Sequence, residues 1–230
     1  MVGWQLETMR QLRQAGAHDD QDQVLPDLRA QIGGLTMAFI NIYNTDKQYR
    51  IIYADPPWAY RQKQMNFQHY GEGKKYENDV TEHYPTMSIS ELKALPVNKI
   101  ADDSCLLYMW ATNPNLDIAI ELGKAWGFEY KTVAFVWDKQ RTNYGFYTLS
   151  QCELCLVFKK GTIPKRTVTN IKQFLSERVG HHSEKPAEIR NRIDSMYHHF
   201  PRIELFARQE AVGWDCWGNE VGTAIKEENK

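Results

Sequence analysis

The sequence predicts an α/β fold in which a largely parallel sheet is flanked by helices. Runs rich in β-branched and aromatic residues alternate with stretches of helical period, the order from which parallel layers are built. A chain of 230 residues with 42% hydrophobic content can bury one substantial core, and is short for two.

The elements follow in order. Residues 1–36 are polar, with three Lys+Arg against five Asp+Glu. They read as an N-terminal extension outside the core, with one short helix around 4–15. "MAFINIY" (37–43) and "YRIIYA" (49–54) read as buried strands. A polar stretch with interleaved aromatics, 59–86, follows, and a connection of that length is expected to be a lid or binding loop. Ser88 and Glu91 have capping-box spacing at the start of a helix over 88–95. "CLLYMWA" (105–111) is a strand. Residues 113–127 form a helix with Asn113 as N-cap, Pro114 at its first position and Gly127 just past its end. Strands are predicted over 130–137 and 152–159. A helix over 183–200 carries Ile189, Ile193, Met196 and Phe200 on one face, and a strand over 202–207 closes the order. The core domain is thus 37–222, followed by a charged tail, 223–230.

Composition removes several classes. No run approaches ~20 uninterrupted apolar residues, so no membrane-spanning helix is expected. The amino end lacks an apolar signal core, which makes the cytoplasm the expected compartment. Cys152 and Cys155 form a lone C-x-x-C in "SQCELCLVFKKG", where "ELCLVF" reads as a buried strand, and no second pair accompanies it. They read as strand cysteines, and no metal is expected. A net charge of −1 argues against a uniformly basic surface. Basic clusters at 61–64, 73–76 and 159–166 are either solvated loops or a phosphate-contacting rim.

The stretch "IIYADPPWAY" (51–60) carries the chemistry. In an open α/β sheet, ligands bind at the carboxyl ends of the strands, where Asp55 falls. A tight turn explains the prolines but not a tryptophan directly after them. A planar exocyclic amine explains both. Its lone pair is delocalised into the ring, so it attacks a methyl group only when two acceptors draw its N–H bonds toward tetrahedral geometry. The Asp55 carboxylate and the Pro56 carbonyl supply two acceptors. Pro57 has no N–H to compete, and Trp58 offers a face on which the base can stack.

On these residues the chain resembles the D-P-P-W amino-methyltransferases, the adenine-N6 methyltransferases related to the catalytic subunit of the mRNA methylase. "ADPPW" (54–58), "YPTMS" (84–88), "LYMWAT" (107–112), "HHSEKPAEI" (181–189), "RIELFAR" (202–208) and "GWDCWGNE" (213–220) resemble family blocks in the family's order. The resemblance implies a Rossmann-like fold and S-adenosyl-L-methionine as methyl donor. It implies a catalytic tetrapeptide Asp55, Pro56, Pro57 and Trp58, and cofactor contacts at Lys185 (methionine carboxylate), Phe206 and Arg208 (adenosine half), Asn219 and Glu220. Asn41 and Ile42 are further cofactor candidates, and Tyr84, Trp110 and Ser183 are expected around the target base. The chain departs from nucleotide-binding patterns in lacking G-x-G-x-x-G, and Glu220 stands where some relatives carry an amide. DNA is the expected polymer, as in bacterial and viral relatives, with a base that is flipped out or single-stranded. RNA is the alternative, a non-catalytic partner subunit is a third reading, and a homo- or hetero-dimer is compatible with each.

Overall fold

A computed structural model describes residues 38–58, 86–144, 147–180 and 184–218. All lie within the compact unit Met37–Lys230. Among the described residues seven strands form one sheet: β1 (Tyr49–Ala54), β2 (Ala101–Ala111), β3 (Glu129–Tyr144), β4 (Leu149–Lys160), β5 (Phe174–Ser176), β6 (Arg202–Leu205) and β7 (Asp215–Trp217). Their order across the sheet is β5-β3-β4-β2-β1-β6-β7. Strand β1 pairs in parallel with β2 and β6, as do β6 with β7 and β3 with β5. Only β4 runs against its neighbours β2 and β3, so the sheet is mostly parallel with one hairpin inserted.

Alternation along the strands divides the core between two faces. Ile52, Ala54, Leu107, Met109, Leu156 and Phe158 point to one face. That face is covered by α1 (Ile89–Ala94), α2 (Val97–Ile100) and α3 (Leu116–Ala125), whose Leu92, Val97, Ile100, Ala119 and Leu122 belong to the same cluster. Ile51, Tyr53, Tyr108, Trp110 and Trp137 point to the other, beneath Ile189, Ile193, Met196 and Tyr197 of α4 (Ala187–Tyr197). On that second face β6 presents Arg202 and Glu204, which meet Asp194 at 2.9 Å and Arg190 at 2.8 Å. Paired charge therefore joins α4 to β6.

The capping box at Ser88 and Glu91 is formed, with the Ser88 N–H donating to Glu91 Oε2 at 2.7 Å. Gly127 takes φ +88 after α3, while the N–H groups of Gly127 and Phe128 return to the carbonyls of Lys124 and Gly123. These two hydrogen bonds close the helix at the glycine that its sequence places just past the end.

Other expectations are corrected. The strand expected over 37–43 is not formed by its described residues, 38–43: Phe39 makes a single bridge to Cys216, and a turn follows at Asn41. The helix expected from Asn113 starts instead as a 3-10 turn over Asn113–Asn115, and Asn113 does not cap it. Pro114 sits in that turn, and the α-helix begins at Leu116. Strands β2, β3 and β4 are each longer than predicted, and β5, β7 and α2 had no clear apolar pattern to announce them. The 159–166 cluster begins opposite Cys105 and Leu106, away from the carboxyl end of β2, so it does not rim the strand ends where Asp55 lies. The clusters at 61–64 and 73–76 fall outside the described residues.

Gly123 shows how closely α3 meets the sheet. A methyl group added there would lie inside contact distance of the buried Phe158 ring. Gly123→Ala adds helix propensity of ~1 kcal/mol but overpacks by ~1–3 kcal/mol. The expected result is a lower melting temperature by circular dichroism, and a rise would show that α3 has room to move.

Candidate active site

Strand β1 ends at Ala54, and Asp55 follows beside the end of β6, where Ala54 pairs with Leu205. The two prolines then turn the chain. The Trp58 N–H donates to the Pro56 carbonyl at 2.8 Å, and the Pro57 carbonyl accepts from the Met87 N–H at 3.0 Å. A carbonyl has two lone pairs, so Pro56 keeps capacity for one further donor. The Trp58 indole is half-buried against the α1–α3 cluster, and its Nε1 donates to the Trp110 carbonyl at 3.2 Å. It is docked at the strand ends rather than sunk in the core.

Asp55 begins a chain of four alternating charges. Lys185 Nζ, just ahead of α4, lies 2.8 Å from Asp55 Oδ2 and 3.3 Å from Glu153 Oε2. Glu153 Oε1 in turn meets Lys139 Nζ at 3.2 Å. Side-chain exposure falls from 20% at Asp55 to 14% at Lys185 and 11% at both Glu153 and Lys139. Asp55 is thus the member nearest solvent. Burial opposes the charge on Glu153, but the ammonium groups of Lys185 and Lys139 outweigh it and hold the carboxyl below its ordinary value. Burial also opposes the Lys185 ammonium, and Asp55 and Glu153 together push it above the usual lysine range. Lys185 lies 5.7 Å from the Trp110 ring centroid, a third source of cation stabilisation.

Asp55, Lys185, Phe206 and Arg208 line one cleft with Tyr53, Arg190 and Glu204. Phe206 has φ +62, outside the range ordinary residues adopt, where the chain leaves β6. Such strain persists only where surrounding structure enforces it, and it gathers at functional sites. Here the Ala207 N–H to Trp217 carbonyl bond at 3.0 Å and the Trp217 ring, 5.4 Å from Phe206, hold the turn.

Six expected site residues are therefore brought close together: Asp55, Pro56, Pro57, Lys185, Phe206 and Arg208. Trp58 follows Pro57 in the turn, and its indole packs against the same cluster as Phe206. Trp110 is buried at 1% exposure, with Nε1 donating to Tyr53 Oη at 2.6 Å, so its indole lies under the site and not against an open base pocket. Ile42 is a core residue. The Asn41 carboxamide accepts from the Tyr43 N–H at 3.0 Å in a local turn, and neither residue lines the cleft. Tyr84, Ser183, Asn219 and Glu220 lie outside the described residues.

Sequence reasoning missed Glu153 and Lys139. The available signal was alternation. Glu153 shares a strand face with Cys155 and Val157, and Lys139 shares one with Phe135 and Trp137, so each places a charge on an apolar face. Cys152 and Cys155, three apart on β4, project to opposite faces, and Cys155 is fully buried.

A seven-stranded, mostly parallel sheet, with an acidic Pro-Pro-Trp turn and a cleft at its strand ends, is the build of a Rossmann-like methyltransferase. The MT-A70 family profile matches residues 49–220. The chain is 48% identical over 183 residues to the type II methyltransferase M.MunI of a Mycoplasma species, covering 76% of this chain and 78% of that protein. It is 27% identical over 202 residues to the mouse N(6)-adenine-specific methyltransferase METTL4, and 26% over 200 residues to the human one. Each of those matches covers 78% of this chain but only 39% of the relative's length. The chain belongs to the MT-A70 family.

The four-charge chain predicts a pH-dependent defect. Because the folded Glu153 carboxyl titrates below its unfolded value of 4.5, its stabilisation is present above that pH and is lost as pH falls through the folded value. Glu153→Gln leaves two buried ammonium groups short of a partner, a loss of ~3–5 kcal/mol at neutral pH. That corresponds to a melting temperature lower by on the order of 10 °C. Wild type and variant should converge only as pH falls through that folded value, which lies below 4.5. A difference that stays constant from pH 7 down through the range in which the folded Glu153 protonates would show that its charge does not bear on stability.

Proposed function

We propose that this chain transfers a methyl group from S-adenosyl-L-methionine to the N6 amine of adenine in DNA. The observation that carries the reading is Asp55: a carboxylate at the carboxyl end of β1, held by Lys185 and followed by the Pro-Pro-Trp turn. Identity of 48% with a type II methyltransferase supports DNA as the polymer, and the N(6)-adenine-specific relatives support the target atom.

The donor set of the cleft suits this cofactor. Lys185 has three N–H donors, of which Asp55 and Glu153 engage two. The third would hold the methionine carboxylate. Phe206 would face the adenosine ring, with Arg208 beside it. When bound, S-adenosyl-L-methionine supplies an electrophilic methyl group on a sulfonium.

The protein's own groups do the rest. The Asp55 carboxylate and the free lone pair of the Pro56 carbonyl accept from the two N–H bonds of the target amine. This directs the nitrogen lone pair out of the base plane. The paired prolines fix those acceptors without adding a donor. Trp58, anchored through Nε1, stacks on the base, and preorganisation of both acceptors lowers the barrier.

Methyl transfer to unmethylated DNA, with the modified base read by mass spectrometry, tests the reading. N6-methyladenine is expected, and methylation of cytosine, or faster turnover on matched RNA, would overturn it. Asp55→Asn should lower turnover by ~10²–10³ while cofactor affinity stays within a few-fold, because Lys185 keeps Glu153 as a partner. Near-normal turnover would remove Asp55 from the mechanism. Lys185→Ala should weaken cofactor binding by roughly ten- to a hundredfold, measured by calorimetry.

Trp58→Ala should leave the melting temperature within a few degrees of wild type and reduce turnover at least ~30-fold, with part restored by Trp58→Phe. A collapsed melting temperature with normal turnover per folded molecule would make Trp58 a core plug.

A further inference from the structure

Strands β3 and β4 run on past their neighbours. Strand β2 stops at Ala111, opposite Leu154, and β5 stops at Ser176, opposite Asp138. The Asp138 and Lys139 carbonyls still accept from the N–H groups of Glu177 and Val179, and beyond them Gln140–Tyr144 and Leu149–Gln151 pair, strand to strand, only with each other among the described residues, as a two-stranded ribbon. Since β3 runs parallel to β2, the ribbon leaves the sheet at the carboxyl ends of the strands, on the side where Asp55 lies.

The root of the ribbon is pinned. Asp138 Oδ1 accepts from the Gln140 N–H at 3.0 Å and from Gln151 Nε2 at 2.8 Å, and Oδ2 accepts from Ser176 Oγ at 2.7 Å. Gln140 Nε2 donates to the same serine hydroxyl at 3.1 Å. These bonds hold Gln140 at φ +50, where an irregularity gives β3 extra residues between Asp138 and Asn143. Bulges bend and twist a ribbon, and a non-glycine residue at positive φ needs enforcement of this kind. One residue further, Lys139 enters the charge chain that ends at Asp55. The arm is therefore rooted directly on the site.

Past the root the chemistry changes. Arg141 and Asn143 are exposed, Leu149 is 60% exposed and Tyr147 is fully exposed. From Gln140 to Gln151 the sequence holds amides, hydroxyls and a guanidinium, with no carboxylate to repel phosphate. Arginine and asparagine are the side chains that make paired hydrogen bonds to guanine and adenine edges, and an antiparallel ribbon fits the major groove. Five residues past Lys139, at about 3.3 Å each, give a reach on the order of 15 Å. That is about four base-pair steps at ~3.4 Å each.

We propose that this ribbon is the sequence-reading element of the enzyme, entering the major groove beside the extruded adenine. Arg141 and Asn143 contact base edges within about four pairs of the target. The proposal rests on the DNA reading above. It assigns specificity to an arm distinct from the catalytic turn, so selectivity and chemistry are separable.

The test uses wild type, Arg141→Ala and Asn143→Ala on unmethylated duplexes randomised on both sides of one adenine, with methylated adenines mapped by sequencing. Melting temperature and sedimented mass are measured alongside. Wild type should show a defined site. Each variant should keep its melting temperature and its turnover on preferred duplexes within a few-fold. It should relax discrimination at one or two nearby positions by roughly tenfold or more. An unchanged preference profile, or an equal loss on every sequence, would overturn base reading while leaving the DNA activity standing. A change in sedimented mass with site preference intact would make the ribbon a contact between copies instead. Wild type that methylates no duplex at all would sink the DNA reading itself, and this proposal with it.

Discussion

The site depends on one buried electrostatic constraint, the chain Lys139–Glu153–Lys185–Asp55. Its members come from β3, β4, the approach to α4 and the end of β1, so it ties both halves of the sheet at their carboxyl ends. Removing charges from water is costly, and the cost is offset only if every member has a partner at close range. Alternating signs meet that requirement for each inner group. Asp55, at the solvent end, meets Lys185 through Oδ2, its one ionic partner among the described residues, and a second carboxylate oxygen is what a substrate-facing acceptor needs.

Around this chain the structure separates three tasks. The Pro56–Pro57 turn directs carbonyls, because proline restricts the backbone and gives up a donor. Aromatic groups set depth: Trp110 forms the floor beneath Lys185, and Trp58 hangs from the Trp110 carbonyl at the edge. The strained Phe206 turn and the pinned β3–β4 ribbon close opposite sides, each enforced by local hydrogen bonds. The Pro-Pro-Trp turn and the ribbon thus sit on different backbone segments, joined through the charge chain that ends at Asp55.

Much of this was legible in the residues. The D-P-P-W stretch marked its own position because strand ends in α/β sheets are where ligands bind. The Ser88–Glu91 box and Gly127 marked helix boundaries because caps act within a single turn of chain. The α4 face, Ile189, Ile193 and Met196, followed from helical period alone. The 37–43 run misled because an apolar pattern reports burial rather than hydrogen bonding: Ile40 and Ile42 are indeed buried, yet only Phe39 makes a bridge.

The sequence by itself determined what depends on near neighbours: the type of most of the main elements, the proline turn and the family to which its blocks belong. Tertiary structure alone decided which charges meet. Lys139 and Glu153 are 14 residues apart, and Lys185 and Asp55 are 130 apart. Nothing in local spacing pairs them. Parallel strands and crossover connections bring distant residues to one edge of the sheet, and the cost of burying charge then selects the partners.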